Sequence, residues 1–311
     1  MAYTNTDTNM TTSSGLSAGM QTYYNRELLR TFEPNLVHLQ FGDEHRMPPH
    51  SGLVMNMRKL IPLETNTKAL SEGDPGESVM LAETEVTVQL QQYGEYARCT
   101  DKLDLTHLDM DIMRRTKLFG DAGARSIDAV VREELAKCAN VIYANGKTSR
   151  ASLTAADKLT SKELRKAVKA LKKNHAQTFG GYYVAIIGPD TMYDLQEDDA
   201  FVKVSQYQDK ENIYTGEVGR LFGVRLVETT EAKVFEGAGA DVASVIVLGQ
   251  YAYGVTSLKG AKPRVIVKPA GSAGTADPLD QISTVGWKMD GFGAKLLQPE
   301  YAVRIECGFS A

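Results

Sequence analysis

The sequence predicts an α+β chain that is outstretched rather than rounded, and three observations carry that expectation. Val86, Val88 and Leu90 alternate with Thr87, Gln89 and Gln91, so Glu83 to Cys99 reads as one long half-buried strand. From Asp109 to Tyr143 the apolar residues Ile112, Leu118, Phe119, Ala122, Ile127, Val130, Val131, Leu135, Cys138 and Ile142 recur mainly at helical spacing. Gly52 to Leu60 is a second alternating run, and the 22 residues from Ile61 to Ala82 that separate it from the long strand are polar and rich in turn formers. The long strand would reach about 56 Å at the usual rise per residue, and the helix about 52 Å. A sphere made from the whole chain would be only about 50 Å across. Neither element fits inside one.

Taken in order, Met1 to Met20 is rich in Thr, Ser, Asn and Gly and reads as a mobile arm. Tyr23 to Leu39 is a short amphipathic run interrupted by Pro34. Gly52–Leu60 and Glu83–Cys99 pair as a hairpin whose tip holds Ser71-Glu72-Gly73-Asp74-Pro75-Gly76-Glu77. The alternation changes phase at Gly94, so a bulge is expected at Tyr93–Gly94. An isolated hairpin is marginal in water, and its own domain is too short to cover it, so a neighbouring subunit is the expected support.

Asn145-Gly146 is expected to stop the long helix. Thr160-Ser161-Lys162-Glu163 is a capping-box pattern opening a helix that turns Leu164, Ala167, Val168 and Leu171 inward. Tyr182–Ile187 reads as a strand, Pro189–Gln196 as a helical turn, and Val224–Glu228 and Ser244–Leu248 as further strands of an α/β unit. Arg264 to Cys307 returns to strands broken by Gly271, Gly274, Gly286, Gly291 and Gly293.

Composition excludes several classes. At 24% charged residues and net −4, the chain lacks the basic excess that gripping nucleic acid requires. Met1 to Gly19 does not read as a signal peptide, and no stretch is long and apolar enough for a membrane span. Cys99, Cys138 and Cys307 are far apart and read as buried free thiols.

Catalytic, cofactor and metal sites find no foothold. Gly146-Lys147-Thr148 imitates the end of a phosphate-binding loop, but Val141 stands where that loop needs glycine. Gly237-Ala238-Gly239 reads as a flexible turn. The five histidines lack metal spacing and read as surface or loop residues. Glu83 with Glu85 suits a strand edge, and Asp109 with Asp111 the positive end of a helix, better than acid–base work. The lysines at 162, 166, 169, 172 and 173 read as a solvated helix face that could alternatively meet DNA phosphates or an acidic neighbour.

The order of several phrases resembles a known family. Leu70-Ser71-Glu72-Gly73, Gln92-Tyr93-Gly94-Glu95-Tyr96, Asn140-Val141-Ile142-Tyr143-Ala144, Gly188-Pro189-Asp190, Gly216-Glu217-Val218-Gly219, Ala252-Tyr253-Gly254, Asp277-Pro278-Leu279-Asp280-Gln281 and Val285-Gly286-Trp287-Lys288 occur in matching sequence. Together they resemble tailed-phage major capsid proteins with the Hong Kong 97 fold, and more narrowly the family named after phage N-four. That resemblance implies an amino-terminal arm and short helix (1–51), an extended hairpin (52–99), a peripheral domain with a spine helix (100–150), an axial domain (151–258) and a return to peripheral strands (259–311).

The same resemblance implies a non-enzymatic shell protein without cofactor or metal, assembled in the host cytoplasm into hexamers and pentamers of an icosahedral double-stranded DNA head. Leu70, Glu72, Gly73, Asp74, Pro75 and Glu77 would contact neighbouring subunits. Its partners would be copies of itself, a separate scaffolding protein, a portal, a decoration protein and packaged DNA bound without sequence preference, with no membrane. A built-in scaffolding extension is not expected from the short run before the first helix. Lys59 and Lys68 invite comparison with the founding member's covalent cross-link, but no acceptor or catalytic acid matches, so that chemistry is not carried over. Two other classes stay open. One is a cytosolic α/β enzyme with a pocket near Ile187 or Leu248, and the other a decoration or tail-tube protein.

Overall fold

The computed structural model describes residues 36–48, 50–60, 67–69, 73, 78–81, 83–102, 112–198, 220–237, 241–258, 263–272 and 277–310. The sequence expectations for the arm, for the first part of the amphipathic run, and for Asp109 with Asp111 lie outside these residues.

Two sheets and one helix between them make the body. A seven-stranded sheet joins β5 (Val141–Tyr143), β14 (Ala302–Cys307), β10 (Val242–Leu248), β6 (Tyr183–Ile187), β8 (Val224–Glu228) and β7 (Arg220–Leu221) in that order, with β9 (Val234–Phe235) also on β10. A five-stranded sheet is organised on β13 (Ile282–Leu296) and includes β1 (Asp43–Met47), β4 (Gln91–Thr100), β11 (Tyr253–Leu258) and β12 (Arg264–Lys268). The hairpin strands β2 (Val54–Leu60) and β3 (Glu83–Gln89) form a sheet of their own. Arg264–Cys307 therefore does not stay in one unit: β12 and β13 belong to the five-stranded sheet, whereas β14 lies in the middle of the other.

Helix α1 (Ile112–Leu135) has 24 residues, about 36 Å, and is shorter than its sequence pattern suggests. Its last turn tightens where the Lys137 and Cys138 N–H groups donate to Glu134 and Leu135 three residues back, both at 3.1 Å. Val141–Tyr143 then pairs in parallel with Arg304–Glu306 as a strand instead of continuing the helix. Asn145 and Gly146, with φ of +53° and +71°, turn the chain after that strand and are not the helix stop. α2 (Ser161–Lys173) and α3 (Pro189–Gln196) fall as the sequence indicates. The start of α2 is closed differently, however: the Ser161 N–H donates to Asp198 at 2.7 Å, and Thr160 bonds the Glu163 carboxylate.

Alternation in the seven-stranded sheet feeds two cores. Ala185, Ile187, Val245, Val247, Val303 and Ile305 face α2 and α3, whose Leu164, Leu171 and Leu195 are fully buried. Val184, Ile186, Ile246 and Leu248 face the other way, onto Ala124, Ile127, Val131 and Leu135 of α1. The opposite flank of that second core is Tyr253, Val255, Trp287, Met289 and Phe292 of the five-stranded sheet. Each such fully buried side chain contributes about 1.5–3 kcal/mol. α1 is thus the shared floor of both sheets.

Asp128 fixes the chain's entry to this floor. Its carboxylate, wholly buried in α1, accepts the N–H groups of His38 (2.7 Å) and Leu39 (3.3 Å), and His38 Nδ1 lies 2.5 Å from its second oxygen. Tyr253 donates its hydroxyl to the His38 carbonyl, and burial pushes the Tyr253 phenol's pKa up. His38, expected as a surface or loop residue, does lie in a turn but is buried, held by a partner 90 residues away. Asp128→Ala would strand these donors and is expected to cost about 3 kcal/mol in urea unfolding. A loss under about 1 kcal/mol would show that another contact holds the segment.

Candidate assembly surface

The hairpin grows directly out of the five-stranded sheet. β4 pairs antiparallel with β13 from Thr100 opposite Ile282 to Gln91 opposite Phe292, and only Leu90 separates β4 from β3. The expected bulge is present, but on the partner strand. Tyr93 pairs with Met289 and Gln91 with Phe292, so the extra residue lies at Asp290–Gly291, where Gly291 has φ +66°. Gly94 stays in regular register for another reason: a Cβ there would stand 2.7 Å from the Trp287 carbonyl oxygen.

The root of the hairpin has two unlike faces. Register puts Met55 opposite Val88 and Met57 opposite Val86 on one side, and Arg58 opposite Glu85 on the other. The apolar side lies on the body through two notches. Met57 Sδ comes within 3.0 Å of where a Cβ of Gly254 would stand, and Val88 Cγ1 within 2.9 Å of one on Gly293. Met57 and Val88 are buried, the Leu90 N–H donates to the Leu53 carbonyl at 2.8 Å, and Lys59 Nζ meets Glu300 Oε2 at 2.7 Å. The Lys59 ammonium holds the Glu300 carboxyl below its ordinary pKa. The described strands of the hairpin therefore rest on their own subunit, which corrects the expectation that a neighbour supports the whole length.

Between Leu60 and Glu83 the described residues, 67–69, 73 and 78–81, are all exposed. Val79, Met80 and Leu81 are 62%, 90% and 74% exposed, three consecutive apolar side chains turned to solvent. Of the residues expected to make contacts, Gly73 has φ +88° with no atom within 4 Å of where its Cβ would be. Leu70, Glu72, Asp74, Pro75 and Glu77 lie outside the described residues. The sequence reading passed over Val79–Leu81, although an uninterrupted apolar triplet in a polar stretch was the signal available.

Groups with chemical potential are occupied elsewhere. Lys147 of the loop-like Gly-Lys-Thr phrase lies 3.9 Å from Asp157. The three cysteines are free and buried, and burial pushes the Cys138 thiol up and the Cys307 thiol up to about 12. Among the described residues no group of three or more His, Cys, Asp or Glu side chains is placed to hold a metal ion. No helix among them is long and apolar enough to cross a membrane. Ile187 and Leu248, at the strand ends considered for an enzyme pocket, are fully buried.

Residues 83–305 match the profile of the family described as phage capsid protein, from the start of β3 into β14. The chain belongs to this phage capsid family. It is a major capsid protein, a structural component of the virion. No curated protein matches the sequence. Among solved structures, the capsid of Ralstonia phage GP4 superposes at TM-score 0.69 with 15% identity, covering 100% of this chain and 98% of that one. The capsid of cyanophage P-SCSP1u gives 0.66 and 16%, covering 88% and 89%. The cyanophage Pam1 capsid gives 0.65 and 15%, covering 100% and 98%. The fold is thus that of Hong Kong 97-type capsid subunits.

The glycine notches of this capsid protein are its most exposed weakness to substitution. Gly293→Val would drive a branched side chain into Val88 and the Gln89 backbone. The expected result is a body that keeps its circular-dichroism spectrum while Lys59, held against Glu300 at the root, becomes readily cleaved by trypsin. Unchanged cleavage would show that the notch does not seat the hairpin.

Proposed function

We propose that this capsid protein builds hexamers and pentamers of an icosahedral head for double-stranded DNA, with the distal hairpin lying on an adjacent subunit. The carrying observation is the exposed triplet Val79, Met80 and Leu81, apolar area that a monomer has no reason to leave in water. In this reading the five-stranded sheet with α1 is the peripheral domain, and the seven-stranded sheet is the axial domain near the capsomer centre. The amino-terminal arm, within the expected 1–51 unit, would reach another copy. Each contact is weak alone, but a subunit held at several interfaces gains effective concentration for each later one.

The remaining partners belong to the same reading: a separate scaffolding protein, a portal, a decoration protein, and packaged DNA tolerated rather than gripped by a chain of net charge −4. Assembly would take place in the host cytoplasm. The narrower N-four grouping rests on the shared order of the sequence phrases. α2 keeps Leu164, Ala167, Val168 and Leu171 inward and exposes Lys162, Lys169, Lys172 and Lys173, which suits a solvated face.

Deleting Leu70–Ser78 is expected to leave soluble folded subunits that make no shells under negative-stain microscopy. Normal shells from that deletion would overturn the interlocking role. Expression of the chain alone is expected to give aberrant or no particles, and heads of uniform, correct size would remove the scaffolding partner.

A further inference from the structure

The face of the five-stranded sheet turned away from α1 carries a trough of about 710 Å³ across β4, β13 and β12. Trp287 and Met289 point into the core, so their neighbours Thr284, Gly286 and Lys288 point out. Register sets Arg98 and Lys268 on either side of Thr284, and Tyr96 and Ile266 on either side of Gly286. Two strand spacings put Arg98 and Lys268 about 10 Å apart. Gly286 leaves the floor open, while Tyr96 and Ile266, 62% and 38% exposed, wall it.

The charges in this trough are unevenly satisfied. In the next row Arg264 and Lys288 share Asp290 at 3.2 and 3.1 Å. Arg98 touches only Tyr96, through the hydroxyl at 3.4 Å and the ring face at 5.7 Å, and Lys268 has no ion-pair partner among the described residues. Of the carboxylates nearby, Asp277 accepts the Ile282 N–H at 2.7 Å, and Glu95 alternates to the other face of β4. Two cations flanking an open floor, beside an exposed aromatic ring, fit a thin extended peptide bearing carboxylates.

This chain contains such a peptide. Ala69 to Leu81 carries Glu72, Asp74 and Glu77 and no Lys or Arg, its glycines keep it thin, and Pro75 offers an apolar ring to Tyr96. It cannot come from the same copy. Gln91 pairs with Phe292 and Val88 lies against Gly293, so β3 continues the line of β4 along β13, away from the trough. Arg98 is then about 50 Å from Glu83, while the six residues from Glu77 to Glu83 span at most about 21 Å.

We propose that the trough between Arg98 and Lys268 receives the acidic stretch Glu72–Glu77 of a second copy. This rests on the reading of the hairpin as a contact between subunits, and it names the seat and the charges that select it. The double variant Arg98→Glu with Lys268→Glu, both on an exposed sheet face, is expected to keep its unfolding temperature and lose about ten-fold or more of its shell yield, because one exposed pair is repeated at every contact. Adding Glu72→Lys, Asp74→Lys and Glu77→Lys to that double variant is expected to restore shells.

Parental yield from the double variant would overturn the proposal, as would a five-fold variant no better than the double. If the double variant does not fold, Arg98→Gln with Lys268→Gln is read in its place, with reduced shell yield expected and parental yield overturning the proposal. The Leu70–Ser78 deletion run alongside separates the two ideas. Shells from the deletion sink the hairpin reading itself, whereas no shells from the deletion but normal shells from the double variant sink only this seat.

Discussion

The constraint on which the rest depends is the pairing of β13 along both of its edges. Phe292 is partnered by Ser257 on one side and Gln91 on the other, and Thr284–Lys288 by β12 and β4. β11 and β12 therefore lie end to end along one edge, and β4 holds the other. Because β4 is locked to so long a strand, β3 has no freedom in its exit direction. The bulge at Asp290–Gly291 adds local twist where the hairpin leaves. The projection of the hairpin is thus a property of the sheet, not of the loop.

The same sheet is held to the rest of the molecule by α1. One stripe of that helix serves two sheets at once: Ile127, Val131 and Leu135 pack with β6 and β10 as well as with β11 and β13. Asp128, in the same stripe, places a carboxylate in this apolar floor, satisfied by two backbone donors and an imidazole. A second buried carboxylate, Glu306 on β14, is treated alike. Arg150 grips it with two bonds of 2.8 and 2.6 Å while its guanidinium lies 3.6 Å over the Phe235 ring. Bonds of this kind are worth more for fixing geometry than for net stability.

Local pattern made the hairpin, α2, α3 and β6 legible, since each is decided by residues within a turn or a strand of one another. What failed was decided at a distance. Val141, Ile142 and Tyr143 satisfy helical spacing and strand propensity equally, and only the arrival of Arg304–Glu306, some 160 residues later, makes them a strand. The phase change at Gly94 was visible, but alternation in one strand cannot say which partner carries the extra residue. His38 looked like a loop histidine because nothing near it in sequence announces Asp128. For the assembly surface, the paired strands of the hairpin could be read directly, whereas the apolar root and its notches at Gly254 and Gly293 required the fold.

Those notches divide the hairpin into two parts with different duties. A side chain seated where only hydrogen stands opposite cannot slide or rotate without a clash, so the root up to Lys59 and Thr84 moves with the body. Identical subunits that close a shell must meet at more than one angle. If the root is fixed, that variation falls to the contact made beyond it. A contact built from long cationic side chains and carboxylates tolerates such variation better than interlocked apolar packing, because its energy changes slowly with distance and angle. Apolar anchoring at the root and the ionic contact proposed for the tip would therefore be complementary solutions, one for holding a direction and the other for accepting a range of neighbours.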